Sequence, residues 1–355
     1  MPARMPSCAE VAREVVRAGV APQTAAGCAA WDGSAWTSEL GGDVELFFDL
    51  ASLTKPMTAF AIARSNLARQ LRVSELLPEL SGTASAGATL ELLLSHRAGL
   101  AAHLPLWERL VAGADVADVI HAASDGRAPD ARALAEGGAA PVYSDLGYIL
   151  AGLALARHAG TEDAGEAIGR LVVEPLALGH ALGTARDLAA RGVALSERAA
   201  PTEDAPWRGG IVRGRVHDEN AWMLTGEGGS GHAGMFGTIE GTLAFGTAVL
   251  DAVKGRAPGS ADVAWLVRER PGGTLRAGFD GKSAQGSSAG ERFGARSFGH
   301  LGFTGTSLWI DPDADVVAVL LTNRVHPTRD NVRIREARPR AHDALFARAL
   351  ELRGR

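Results

Sequence analysis

Ser52 and Lys55 stand three residues apart in DLASLTKPMTAF (49–60), a spacing that puts a hydroxyl and an amine on one face of a helix. A serine hydroxyl becomes a useful nucleophile only when a base removes its proton. A lysine that has shed its own proton is such a base, whereas an arginine stays charged and cannot be one. The chain has 36 basic residues, and only Lys55, Lys254 and Lys282 are lysines. A chain that uses arginine almost everywhere keeps Lys55 for something arginine cannot do. Taking an amine from about 10.4 to near neutrality costs about 4–5 kcal/mol. The apolar flanks LFFDLA and MTAFAIA and the positive end of a helix both push in that direction. Pro56 has no amide hydrogen and fits a first helical turn, so it sets the helix start near Ser52. The plain alternative for a bare S-x-x-K is a capping serine and a lysine reaching solvent.

Tyrosine is rarer still. Tyr143 and Tyr148 are the only two. Ser144 can cap the helix that follows, which leaves Tyr143 on a loop facing a cleft and Tyr148 inside an apolar run as packing. GHLGFTGTSLWI (299–310) combines a strand pattern with glycines that weaken a strand, so either a substrate approaches its backbone or the strand bulges. Three further constellations carry less. Gly286-Ser287-Ser288-Ala289-Gly290 fits G-x-S-x-G, but both flanks are polar and glycine-rich where that motif needs a strand and a helix. His217, Asp218, His232 and His300 lack the spacing of a helical metal motif, and VHDENA and GSGHAG read as loops bordering a cleft. Ser95-His96 reads as the end of a helix terminated by Gly99. No metal or cofactor is expected.

The elements that must hold these groups fall into two kinds. Ser7 and Glu10 have capping-box spacing for an opening helix that runs to about Arg17. QTAAGCAAWDGSAWTSEL reads as two strands about Asp32-Gly33. RSFGHLGF, TSLWID and VVAVLLTN read as three more, the last two joined by the Asp- and Pro-rich turn at 311–315, and PRAHDALFARALEL closes as a helix with Pro339 in its first turn. Between about 75 and 205 the chain is rich in Ala and Leu and reads as helices closed by glycine. The expected class is α+β: an antiparallel sheet assembled from both termini (1–70 and 206–355), a mostly helical inserted domain (71–205), and a cleft between them. Residues 271–295 carry no periodicity and read as loop.

At 355 residues with a net charge of −5, the chain has room for two domains and no general attraction to nucleic acid or an anionic membrane. A small-molecule substrate is the expected partner. No run is long enough to span a bilayer and MPARMPSCAEVAREVV lacks the apolar stretch of a secretory signal, so the expected location is the cytoplasm unless a leader has been removed. Cys8 and Cys28, the only cysteines, are expected as packed thiols.

Taken in order, Ser52-Leu53-Thr54-Lys55, Tyr143-Ser144-Asp145 and His300-Leu301-Gly302 resemble the three motifs of the penicillin-recognising serine hydrolases, in the branch of class C β-lactamases, DD-peptidases and β-lactamase-like esterases. LLSHRAGL, GHAGMFGT and IDPDADVVAVLLTN also resemble family segments. The resemblance implies the β-lactamase/transpeptidase-like fold. It further implies that Ser52 attacks a carbonyl, that Lys55 and Tyr143 share the proton transfers, and that the N–H groups of Ser52 and Phe303 form the oxyanion hole. Asp145, His300 and Gly302 would bind substrate. Lactam-cleaving members commonly have Asn where this chain has Asp145 and Lys where it has His300. Both changes weaken recognition of an acyl-amide bearing a carboxylate. The expectation is an acyl-enzyme esterase or peptidase-like hydrolase; the alternatives are a true β-lactamase or D-alanyl-D-alanine carboxypeptidase, or a non-catalytic binding protein of this fold.

Overall fold

The computed structural model describes residues 4–129, 138–257 and 262–354. VVAVLLT (Val316–Thr322) is buried at every position, the pattern of a strand covered on both faces. It is an inner strand of a six-stranded antiparallel sheet ordered Trp36–Gly42, Thr24–Trp31, Val316–Thr322, Ser307–Asp311, Phe298–Leu301, Asp280–Gly281. Strands from the two ends of the chain therefore pair directly, with Cys28 opposite Ala318 and Trp309 on that residue's other side. The period of two divides the strands between two cores. Ala26, Cys28, Ala318 and Leu320 face the helices Cys8–Arg17 and Ile334–Arg353. Ala25, Ala29, Val317 and Val319 face the helix Ile239–Val253 and the larger core beyond it. Each fully buried Val or Leu contributes about 1.5–3 kcal/mol to holding the layers together.

Ser7 caps the first helix through both halves of a capping box, and the hairpin about Asp32-Gly33 forms as its sequence implies. The closing helix differs from expectation. It runs Ile334–Arg353 with Pro339 in its interior, not in its first turn. Ile334, Ala337, Ala341 and Leu345 form one apolar stripe packed on the sheet, and this burial carries the helix through a proline that costs an exposed helix about 3 kcal/mol. Cys8 and Cys28 are free, buried thiols 3.6 Å apart. No helix among the described residues is long and apolar enough to cross a membrane.

The Thr54–Arg64 helix is buried continuously from Thr54 to Ile62, against the Asp145–Ala159 helix and the Ala164–Val173 segment. It has no solvent face, which is why its sequence shows no amphipathic stripe. A small sheet of Phe48–Asp49, Met235–Gly237 and Leu182–Thr184, with Met235–Gly237 in the centre, delivers the chain into this helix.

Candidate active site

Between the strand Phe48–Asp49 and the helix, the chain makes one tight turn over Ala51–Leu53. Ala51 has φ of 47°, a left-handed conformation that costs a side-chain-bearing residue about 1–2 kcal/mol. Asp49 holds it there: its Oδ1 accepts the Ala51 N–H at 2.8 Å, and its Oδ2 accepts the His217 N–H at 2.7 Å. Burial raises the Asp49 carboxyl to about 6. The Thr304 and Thr306 hydroxyls donate to the carbonyls of Asp49 and Leu50, fastening the turn to the Gly302–Thr306 segment. A Cβ on Gly302 would stand 2.6 Å from the Leu50 carbonyl oxygen. The glycine just after the strand Phe298–Leu301 is therefore required by the protein's own backbone. Gly302 N–H donates to Thr306 O and its carbonyl accepts from Arg338, so neither backbone group is left for the substrate role expected of it.

Ser52 lies at the surface of the cleft and Lys55, fully buried, behind it. Lys55 Nζ meets three acceptors: Ser52 Oγ at 2.9 Å, Asp145 Oδ1 at 2.7 Å and the His232 carbonyl at 3.3 Å. Burial alone lowers the pKa of this amine, but the Asp145 carboxylate, with a smaller contribution from Tyr143, more than offsets it and holds Lys55 above its ordinary value. The resting lysine is thus charged, which corrects the expectation of a neutral amine. The apolar setting that the flanks suggest is real; the overriding carboxylate comes from a residue 90 positions away.

Asp145 lies deep in the same cluster. Lys55 holds its carboxyl far below the usual carboxylate range against the opposing effect of burial. Its second oxygen faces His103 Nδ1 at 3.4 Å. Ser144 caps the Asp145–Ala159 helix and leaves Tyr143 just outside it, with Lys55 Nζ 4.8 Å from the ring centroid. Burial raises the phenol's pKa; Lys55 and Ser52 oppose that, by charge and as hydrogen-bond partners. His96 stacks on Tyr143 with centroids 4.8 Å apart, and its Nδ1 accepts the Ser144 N–H. His96 closes the Leu90–Leu94 helix as the sequence implies, in a left-handed conformation that turns its ring into the site. Tyr148 is packing, its hydroxyl donating to Leu94 O.

The cleft encloses about 640 Å³ and is bordered by Ser52, Tyr143, Asp145, His300 and Phe303. His300 lies on the strand Phe298–Leu301 and donates through Nδ1 to the Leu301 carbonyl. Burial and the charge on Lys55 depress it to about 3, so it is neutral. Phe303 is half-exposed and fixed by Arg324, which donates to its carbonyl. His217 borders the cleft as expected, stacked on Phe303, while Asp218 caps the helix Glu219–Thr225 and bonds His232. Gly286–Gly290 forms a turn with neither strand nor helix beside it.

A family model described as Beta-lactamase matches residues 29–342. The chain belongs to the beta-lactamase family. A Salmonella schwarzengrund protein carrying the provisional name D-alanyl-D-alanine carboxypeptidase is 26% identical over 216 residues, 56% of this chain and 48% of that protein. The chain thus spans about half the length of the curated relatives it matches. Among solved structures, the class C beta-lactamase from Rhodobacter sphaeroides superposes with a TM-score of 0.68 at 19% identity, covering 97% of this chain and 99% of that one. EstCE1, described as a hydrolase with promiscuous acyltransferase activity, gives 0.64 at 19% identity over 93% and 96% of the two chains. The β-lactamase fold expected for this chain is what these superpositions show.

Of the site residues named from sequence, Ser52, Lys55, Tyr143, Asp145, His300 and Phe303 all converge on the cleft. Sequence reasoning missed Asp49, His96 and His103. Asp49 and His103 stand in no recognisable pattern, and the turn of His96 into the site follows from a backbone angle.

Proposed function

We propose that this member of the family is a serine hydrolase that works through an acyl-enzyme on Ser52, with a small ester or a peptide-like amide as substrate. The observation that carries this reading is the buried Lys55 ammonium joining Ser52 Oγ to Asp145 beside the Tyr143 ring. Ser52 Oγ attacks the carbonyl carbon. Once Lys55 has passed one of its protons to Asp145, the Lys55–Tyr143 pair takes the Oγ proton and returns it to the leaving group when the tetrahedral intermediate collapses. The N–H groups of Ser52 and Phe303 are the oxyanion donors in this reading, a contribution of about 10²- to 10³-fold each. His300, neutral and bonded to Leu301, offers Nε2 to substrate but no charge, and Asp145 is engaged with Lys55 rather than with substrate. Those two substitutions favour esters and peptides over lactams. The test is turnover of short p-nitrophenyl esters against nitrocefin, with Ser52→Ala as control. Faster ester cleavage, abolished in the variant, is expected; equal or faster nitrocefin turnover would overturn the preference.

A second reading, a carboxypeptidase that holds a terminal carboxylate, draws on Arg324 and Arg338. Both line the cleft, and the hydrogen bonds of their guanidinium groups go to backbone carbonyls. Release of D-alanine from an acyl-D-alanyl-D-alanine peptide at rates exceeding ester cleavage, and lost in Arg324→Ala, would favour it.

A further inference from the structure

An ammonium cannot accept a proton, and in the resting protein that is what faces Ser52. The Lys55 amine becomes a base only if one of its protons leaves first, and the acceptor within reach is Asp145 Oδ1 at 2.7 Å. The other oxygen of that carboxylate looks outward to His103, whose side chain is 48% exposed on the wall of the cleft. The contact is built in by the backbone. The Ser144 hydroxyl donates to Ala101 O at 2.6 Å and the Asp145 N–H to Ala102 O at 2.8 Å, which pins the segment before His103 to the start of the Asp145–Ala159 helix. On the far side, buried Asn220 accepts the Trp107 N–H and donates to Leu104 O, both at 2.9 Å. The strap carrying His103 is thus anchored at both ends, with the imidazole between the buried ion pair and solvent. Nothing in the family resemblance or in the three motifs assigns His103 a role.

We propose that His103 is the proton outlet of the site, a positioning residue that acts through Asp145 on Lys55 along the path Ser52–Lys55–Asp145–His103. As the Oγ–C bond forms and the Oγ–H bond breaks, Lys55 takes the serine proton and releases one of its own to Asp145. Asp145 passes a proton to Nδ1 of neutral His103, leaving an oxyanion in the cleft and an imidazolium at its wall. Collapse of the intermediate returns the proton by the same path to the departing group, and the attacking water of deacylation uses it again. The charges facing His103 come from Asp145 at the start of its helix and from Asp218 and Glu219 at the start of the neighbouring one. All three raise its basicity, the Asp145 contact most, while burial opposes them. The outlet accepts a proton only when His103 is neutral, so the rate of Ser52 attack rises with pH through a limb above the ordinary histidine value of about 6.5. His217 and His300, the other cleft histidines whose basicity is perturbed, and buried His96 stacked on Tyr143 are all depressed and stay neutral through that range.

This proposal rests on Ser52 being the nucleophile, and the experiment separates the two. The readout is the rate constant for labelling of Ser52 by a fluorophosphonate from pH 5 to 9, which requires no knowledge of the substrate. It is measured for the wild type, His103→Ala and His103→Gln, with and without added imidazole. Both variants should label about 10- to 100-fold more slowly and lose the pH limb, up to the lower end of the about 10²- to 10⁴-fold range of direct general-base assistance. Imidazole should restore the rate of His103→Ala, whose cavity opens to the cleft. His103→Gln keeps a hydrogen-bonding side chain of similar reach but no titrating group; a wild-type rate in that variant would reduce His103 to a structural contact and overturn the relay. Wild-type rates and an unchanged profile in His103→Ala would also overturn it, leaving the hydrolase intact. If wild-type Ser52 does not label at all, the hydrolase reading fails and the relay with it.

Discussion

Replacing Asp145 with Asn removes one charge from the most buried ion pair of the site, and the consequence can be followed in magnitude and in sign. Lys55 is fully buried and the Asp145 side chain is 17% exposed, with 2.7 Å between the charges. Breaking such a pair costs about 3–5 kcal/mol, because a buried ammonium is left without a counter-charge. The two partners titrate in opposite senses in the wild type. Lys55 is held above its ordinary value, so its contribution is complete below the unfolded lysine value and lost only as pH rises past the folded one. Asp145 is held far below its ordinary value, so its contribution is complete above about pH 4 and lost as pH falls further. Wild-type stability from this pair is therefore flat between about pH 5 and 9. In Asp145→Asn the principal charge opposing the burial of Lys55 is gone and only Tyr143 is left to counter it, so its folded pKa is expected to drop below the unfolded one. The unfolded chain then binds the extra proton, and stability rises with pH by up to about 1.4 kcal/mol per unit. Urea unfolding of both proteins at pH 6 and pH 9 measures this directly. The variant should be several kcal/mol weaker at pH 6 and recover much of the loss at pH 9. A variant as stable as wild type at pH 6, or equally weakened at both pH values, would refute the claim that Asp145 keeps Lys55 charged.

Lys55→Arg keeps a positive charge but forbids any neutral state, so fluorophosphonate labelling of Ser52 should fall by at least about 100-fold; labelling within a few-fold of wild type would exclude Lys55 from proton transfer. Ala51→Gly relieves a left-handed alanine at φ 47°. It should leave thermal stability unchanged or raised by up to about 1 kcal/mol, where Ala→Gly ordinarily destabilises, while slowing Ser52 attack because the turn is freed. Asp49→Asn replaces one acceptor oxygen by an amide donor facing the N–H of Ala51 or His217. Denaturation midpoints should show a loss of about 1–3 kcal/mol. The same variant should abolish a pH-dependent stability component near pH 4–6. The folded Asp49 carboxyl is raised to about 6, so the native state binds the proton more tightly and wild-type stability declines as pH rises through that window.

How much of this is legible in the sequence depends on the range of the interaction. Local signals read correctly: the Ser7–Glu10 capping box, the Asp32-Gly33 hairpin, the cap at Ser144 that frees Tyr143, and the continuous apolar run of Val316–Thr322. The order of the three motifs carries the fold and the convergence of Ser52, Lys55 and Tyr143. What fails is long-range. The chemistry of a single proline puts Pro339 in a first turn, because the tertiary burial of Ile334 and Ala337 that extends the helix leaves no local mark. The apolar neighbours of Lys55 in sequence imply a neutral amine, whereas its charge is decided by Asp145 at the head of another helix. Gly302 reads rightly as a point of close approach, but its neighbour is Leu50 of the chain itself.

The Lys55–Asp145 pair sets the electrostatics of the whole site, and the histidines show how. His96 and His300 both lie under the field of the Lys55 ammonium, and both are depressed by it in addition to burial. With Lys55 charged, neither can serve as a cation for substrate, so His300 cannot stand in electrostatically for a lysine. The cationic character of the cleft moves instead to Arg324 and Arg338, whose guanidinium groups meet backbone carbonyls rather than carboxylates. Burial and the neighbouring Arg324 lower Arg338 to about 9, so it still carries its charge at neutral pH. The charges of the site are thus separated: a compensated Lys55–Asp145 pair behind Ser52, and Arg324 and Arg338, which border the cleft and meet backbone carbonyls. In the proposed reaction a substrate anion would be drawn to the arginines, while the Lys55–Asp145 pair, in contact with His103, handles the protons.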